Sequence, residues 1–239
     1  MAGCHLYRYL ISQIFFPGIL LFLLLVPGGA FARKEDGTLD RILSPHNGQP
    51  VIVRAGMPFD VLLRDITSPA EVSCALIGAD SVEYPLTVKS TADEQSIYTR
   101  LECQPPEQIQ PGGYALRITA PDGTTDTNFR AVWILAPEIS EYYVLAHVTD
   151  VHIGKQRNNR PDPEKVFAAV IDEINKTDAA LCAITGDITE NADPEQFRRF
   201  LGLLDRFSVP TLVCSGNHDR DNLQYERFMG LQTWARTFG

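Results

Sequence analysis

"VPTLVCSGNHD", residues 209–219, is a short apolar run that breaks at Gly216 and then presents an amide, an imidazole and a carboxylate in succession. Rich in Val and Thr and bounded by Pro and Gly, it reads as a buried strand. A chain that needs only to turn can do so with Asn-Gly or Asp-Gly. The His218-Asp219 pair therefore asks for a chemical reason.

Two earlier stretches end in the same manner. "YYVLAHVTD" (142–150) runs into Asp150-Val151-His152, and "AALCAITGD" (179–187) closes on Gly186-Asp187. Between these strands lie two helical patterns. "DPEKVFAAVIDEINK" (162–176) has Asp162 as N-cap, Pro163 at the first helical position, and Val166, Val170 and Ile174 on one face. "DPEQFRRFLGLLDRF" (193–207) opens on Asp-Pro again and carries Phe197, Leu201 and Leu204 on one stripe. Strands alternating with amphipathic helices predict a βαβαβ unit whose parallel sheet is covered on both faces. Right-handed crossovers then bring all three strand ends to one edge, where α/β proteins place their ligands.

A single acid after a strand is ordinary turn or cap chemistry. Turns do not account for Asp150, His152, Asp187, Asn217, His218 and Asp219 at successive strand ends. The i, i+2 spacing of Asp150 and His152 aims both side chains one way in an extended chain. Gly186 and Gly216 allow a sharp turn and close approach. Carboxylate, imidazole and amide oxygen without thiolate suit Mn, Fe or Zn in a working site better than a structural zinc.

The set Asp-x-His, Gly-Asp and Gly-Asn-His-Asp, with helices between, resembles the calcineurin-like metallophosphoesterase superfamily. The text from 162 to 219 is most similar to its branch of cyclic-nucleotide and glycerophosphodiester phosphodiesterases. The resemblance implies the first half of a four-layer α/β/β/α fold over residues 142–239. It implies two divalent or trivalent metal ions, Mn, Fe or Zn. Asp150 and His152 would hold the first, Asp187 would bridge both, and Asn217 would hold the second through its amide oxygen. His218 would stabilise charge and protonate the leaving oxygen, with Asp219 orienting its ring. The implied reaction is hydrolysis of a small phosphate ester, a diester before a monoester, by a metal-bridging hydroxide. Purple acid phosphatases share the fold, but their Gly and Tyr positions are here His152 and Glu190. The superfamily completes its site with later histidines, and none follows His218. The expectation is an active hydrolase in full-length form and an inactive chain over these 239 residues. The alternative is a non-catalytic exported binding module with an incomplete metal domain.

Residues 40–136 read differently. "PFDVLLRDI", "AEVSCALIG", "SIYTRLEC" and "GGYALRITA" are short alternating runs between Pro, Gly and Asp signals, the pattern of a small all-β, immunoglobulin-like sandwich. Phe59, Val61 and Leu63 mark its buried face. His46, in "SPHNGQP", reads as a solvated loop histidine, His147 as a packed one, and "GKQRNNR" (154–160) as a solvated loop. A boundary is expected near "LAPEISEYY" (135–143).

The first 32 residues carry Arg8, an apolar run from 10 to 26, and "AFA" before Arg33. This reads as a signal peptide cut after Ala32, with an uncleaved membrane anchor as the alternative. Either one exports the remainder. Export permits a Cys74–Cys103 bridge, the alternative being two buried thiols, while Cys182 and Cys214 read as small core residues. At 44% hydrophobic the chain can bury a core, and a formal charge of -9 argues against nucleic acid as a partner.

Overall fold

The computed structural model describes residues 34, 38–91, 98–137, 142–155, 161–220 and 224–230. The expected signal peptide, residues 156–160 of the "GKQRNNR" stretch, part of the boundary segment and residues 231–239 lie outside the described residues. Among the described residues no helix is long and apolar enough to cross a membrane.

The element order is β1 (Ile42–Ser44), β2 (Val51–Arg54), β3 (Phe59–Arg64), β4 (Ser73–Ile77), β5 (Glu83–Pro85), β6 (Thr87–Thr91), β7 (Tyr98–Gln104), β8 (Gly112–Thr119) and β9 (Thr125–Leu135). There follow β10 (Val144–Val148), α1 (Pro163–Ile174), β11 (Ala179–Thr185), α2 (Pro194–Leu204), β12 (Thr211–Cys214) and α3 (Gln224–Met229). The result is a mixed α/β fold with several sheets and few helices.

The first nine strands form two sheets, ordered β1-β3-β7-β6 and β2-β9-β8-β4-β5. The pairings are antiparallel except β2 with β9, which run parallel. The alternation read in "FDVLLR" holds: Phe59, Val61 and Leu63 are buried while Asp60 is exposed. They share one core with Leu101 and Cys103 of the same sheet and with Cys74, Leu76, Leu116, Ile118 and Val132 of the other. Cys74 and Cys103 are both buried free thiols within this core.

The last three strands are parallel in the order β10-β11-β12. Asp162 and Asp193 cap α1 and α2 through side-chain bonds to the Glu164 and Glu195 amides, and each helix opens on proline. The stripe expected on α2 is the buried one, with Phe197, Leu201 and Leu204 joined by Phe200. On α1 the buried residues are Phe167 and Ile171, and Val166 is 47% exposed. The expected face is displaced by one residue because the aromatic ring of Phe167, stacked on Phe200 at 5.8 Å, outweighs the valines.

The sheet is not covered on both faces among the described residues. Cys182, Ile184 and Val213 face the second core, whereas Leu145 and Leu212 are 54% and 39% exposed. Sequential right-handed crossovers put α1 and α2 on the same side, which leaves the opposite face open. His147 lies on that open face, exposed and 2.6 Å from the Thr185 hydroxyl, instead of being packed. His46 also departs from the solvated loop residue expected of it. It is 1% exposed, and its Nδ1 lies 2.8 Å from the Asn47 carbonyl, because its turn is inserted between elements of both cores.

Candidate metal centre

The three strand ends meet because the segments that follow them are laced together. Beyond β10 and β11 the main chains run side by side: Asp150 N–H donates to the Gly186 carbonyl, His152 to Asp187 and Ile153 to Ile188, at 3.3, 2.8 and 2.9 Å. Glu190 N–H returns a bond to the Ile153 carbonyl at 3.0 Å. The turn after β12 is then fastened to the β11 loop by Asp219. This carboxylate is fully buried and accepts from the amides of Ile188, Thr189 and Gly216 and from the Thr189 hydroxyl, at 2.8–3.1 Å. Gly216 is required by proximity: a Cβ there would stand 2.0 Å from Asp187 Oδ1.

Asp150 and His152 do not converge as extended residues. Strand β10 ends at Val148, and both residues adopt left-handed backbone, φ 56° and 51°, as does Asp187 at 47°. Such conformations cost non-glycine residues about 1–3 kcal/mol each and gather at sites where side chains must be aimed. Here ligand atoms of Asp150, His152 and Asp187 all lie within 4.8 Å of one another. His152 Nε2 is 3.8 Å from both Asp150 Oδ1 and Asp187 Oδ2. That is too long for a hydrogen bond, but two metal–ligand bonds of about 2.0–2.2 Å can span it. The donor set and its spacing fit a cation.

The His218 imidazole is oriented by Glu190, which also stands against His152 and which the sequence reading did not place in the site. His152 Nδ1 lies 2.8 Å from Glu190 Oε2, and His218 Nδ1 is 2.6 Å from the Glu190 main-chain carbonyl. A carbonyl can only accept, so Nδ1 of His218 carries the proton and Nε2 is left for other chemistry. His152 Nδ1 and Glu190 Oε2 are in ion-pair range without hydrogen-bond alignment, and His152 Nε2 is the ring nitrogen turned to Asp150 and Asp187. Lys155 Nζ stands 3.0 Å from Glu190 Oε2. Burial pushes the Glu190 carboxyl up, but Lys155, helped by the two histidines, outweighs it and holds it below the ordinary range.

The role expected of Asp219, orienting the His218 ring, falls instead to Glu190. Asp219 accepts from donors of the two loops, so it positions the backbone. His218 packs edge-on against His152, centroids 4.9 Å apart, and its amide donates to Asp187 Oδ1 at 3.1 Å. Asn217 precedes it and is exposed. Gln196 was also missed; its Oε1 accepts from the amides of Glu190 and Asn191. Glu190 could have been noticed three residues after Asp187, whereas nothing in a helical glutamine marks it. A cleft of about 460 Å³ opens beside the centre, with Asp150, His152 and Lys155 on its polar side and Val166 and Val170 on its apolar side.

Residues 143–237 match the family model described as Calcineurin-like phosphoesterase. A probable glycerophosphodiester phosphodiesterase of Arcobacter nitrofigilis is 36% identical over 89 residues, covering 35% of this chain and 33% of that protein. A probable cyclic nucleotide phosphodiesterase of Xenorhabdus bovienii is 29% identical over 82 residues, covering 31% of this chain and 33% of that one. The chain spans about a third of the length of these curated relatives. A solved purple acid phosphatase from yellow lupin (Lupinus luteus) seeds is similar at a TM-score of 0.38 and 15% identity, covering 74% of this chain and 38% of that one. The strand-end motifs Asp150-Val151-His152, Gly186-Asp187 and Gly216-Asn217-His218-Asp219 all fall within the stretch that matches the calcineurin-like phosphoesterase model.

Proposed function

We propose that this protein is an exported metal-dependent phosphoesterase acting on small phosphate esters, diesters before monoesters. The observation that carries the reading is the convergence of Asp150, His152 and Asp187 at the ends of two parallel strands, within 4.8 Å and in left-handed backbone. The two curated relatives, both named as probable phosphodiesterases, favour the diester.

Asp150, His152 and Asp187 would hold a cation, and Asn217 would offer its amide oxygen to a second cation for which Asp187 would also be available. Bound Mn, Fe or Zn supplies a Lewis acid that acidifies water and neutralises phosphate charge. The protein supplies the rest. The Glu190 carbonyl fixes the His218 ring with Nδ1 protonated, so His218 meets the leaving oxygen through Nε2 and, when charged, donates a proton there. Lys155 keeps Glu190 ionised and adds positive charge beside the cleft. The apolar side of the cleft gives the alcohol portion of an ester a surface to bury.

Two further features belong to this reading. The open sheet face, with Leu145 and Leu212, is where a second sheet would pack in a four-layer α/β/β/α arrangement. The two sheets of residues 38–137 that share one core are read as an immunoglobulin-like sandwich, and export rests on the apolar N-terminal segment. Titration calorimetry with Mn²⁺ tests the centre itself: the chain should bind, and Asp187→Ala should not. Equal binding by both would overturn the ligand assignment.

A further inference from the structure

β12 delivers Gly216, Asn217 and His218 to the candidate centre, yet among the described residues it is an outer strand of its sheet. An outer strand presents main-chain N–H and C=O groups with no neighbouring strand to receive them. At Val213 both groups are met from elsewhere. Its N–H donates to the Gly48 carbonyl at 2.7 Å, and its carbonyl accepts from the Tyr225 hydroxyl at 3.3 Å. Gly48 also forms a parallel bridge with Leu212.

The segment that carries Gly48 is gripped from two sides. Towards the first core, Asn128 on β9 donates through Nδ2 to the Ile42 and Pro45 carbonyls at 3.2 and 3.0 Å. Asp126 on the same strand accepts from the Ile42 amide at 2.7 Å. Towards the second core, Asn47 Nδ2 donates to Asp205 Oδ1 at 2.8 Å, at the C-terminal end of α2. Gly48 has φ 99°, and a Cβ there would stand 2.6 Å from Met229 Cε. The same Cβ would be 3.4 Å from Leu204 and from Val213. Only glycine lets the backbone sink this far into the second core. A tether between two independent modules has no need of a buried Asn47 or of a carbonyl aimed at a strand edge.

The geometry points to residues 45–50 as a working part of the candidate centre. They occupy the outer edge of β12 and fix the strand end that carries Asn217 and His218. Asn47 and Gly48 are thus positioning residues, and the region from 38 to 137 braces the centre instead of serving as a detachable docking module. The importance of that strand end rests on the phosphoesterase reading, but the brace can be tested without metal or substrate.

Amide hydrogen exchange by NMR on the 239-residue chain provides the test. In wild type the Val213 amide should be protected like that of Cys182, which donates to the Pro210 carbonyl at 2.9 Å. Asn47→Asp sets a second carboxylate against Asp205. It should speed Val213 exchange on the order of tenfold and move the His218 imidazole ¹⁵N resonances, leaving the Leu101 amide of the first core unchanged. Adding Asp205→Asn restores the bond with donor and acceptor exchanged, and should return both signals to wild-type values. A Val213 amide that is unprotected in wild type would overturn the inference whether or not the variants fold. So would acceleration of Val213 and Leu101 by the same factor, which is global destabilisation. Intact coupling in a protein that binds no Mn²⁺ would uphold the brace and count against the phosphoesterase reading instead.

Discussion

Asp219 takes two bonds from Thr189 on the same oxygen: the Thr189 amide and hydroxyl both lie 2.8 Å from Oδ1. With Ile188 and Gly216 donating to Oδ2, one buried carboxylate ties the β11 loop to the β12 turn. Alanine would strand these donors in the interior, at about 1–3 kcal/mol for each left unpaired. Asp219→Ala should therefore lose about 3–5 kcal/mol, below the simple sum because the loops relax. The urea midpoint measures it, and an unchanged midpoint would remove the tie from the account.

Glu190 is expected to act through the histidines. Replacing it with alanine removes the carboxylate from His152 and leaves the main-chain bond to His218 in place. Mn²⁺ affinity should fall about 10–100-fold, the usual scale for a residue that orients a metal ligand. Calorimetry gives the affinity, and ¹⁵N shifts of the two rings show whether only the His152 tautomer changes.

The cysteines should differ sharply in reactivity. Contact with Cys74 and then burial push the Cys103 thiol far above its ordinary range, and burial pushes Cys182 up to about 11. Cys214 is half-buried. Iodoacetamide on the native protein at mildly alkaline pH should mark Cys214 first, and Cys103 and Cys182 only as the chain unfolds. Mass mapping over time gives the order, and early labelling of Cys103 would refute it.

Much of this was readable in advance, for reasons that particular residues supply. Asp162-Pro163 and Asp193-Pro194 announce their helices because capping and the fixed φ of proline are local effects. Asp150, His152 and Asp187 were legible because a parallel βαβ unit must bring its strand ends together. Contacts made only by the folded chain were not. The burial of His46 depends on a turn that crosses to β12, far away in sequence. The orienting role of Glu190 comes partly from its main-chain carbonyl, which any residue would possess.

Asp126 sets a pH dependence. Burial pushes its carboxyl above the ordinary carboxylate range, although the Ile42 amide partly opposes this. A folded pKa above the unfolded value of about 3.9 means that the folded state holds the proton longer. Its contribution to stability is therefore greatest below the unfolded pKa and declines as pH rises through the folded one. Asp126→Asn keeps an acceptor for Ile42 and cannot ionise. Relative to wild type it should gain stability as pH rises from about 4 to 7, by denaturant midpoints at each pH. A constant difference would show that Asp126 does not titrate in that window.

The central claim is tested most directly by hydrolysis of bis(p-nitrophenyl) phosphate by the natural full-length protein, wild type against Asp187→Ala, with Mn²⁺ and with EDTA. The account predicts turnover that requires Mn²⁺, disappears with EDTA and is absent in Asp187→Ala. His218→Ala should retain the metal and slow by about 10²–10⁴, the scale for losing a proton donor or charge stabiliser. Turnover that survives EDTA, or that persists in Asp187→Ala, would contradict it.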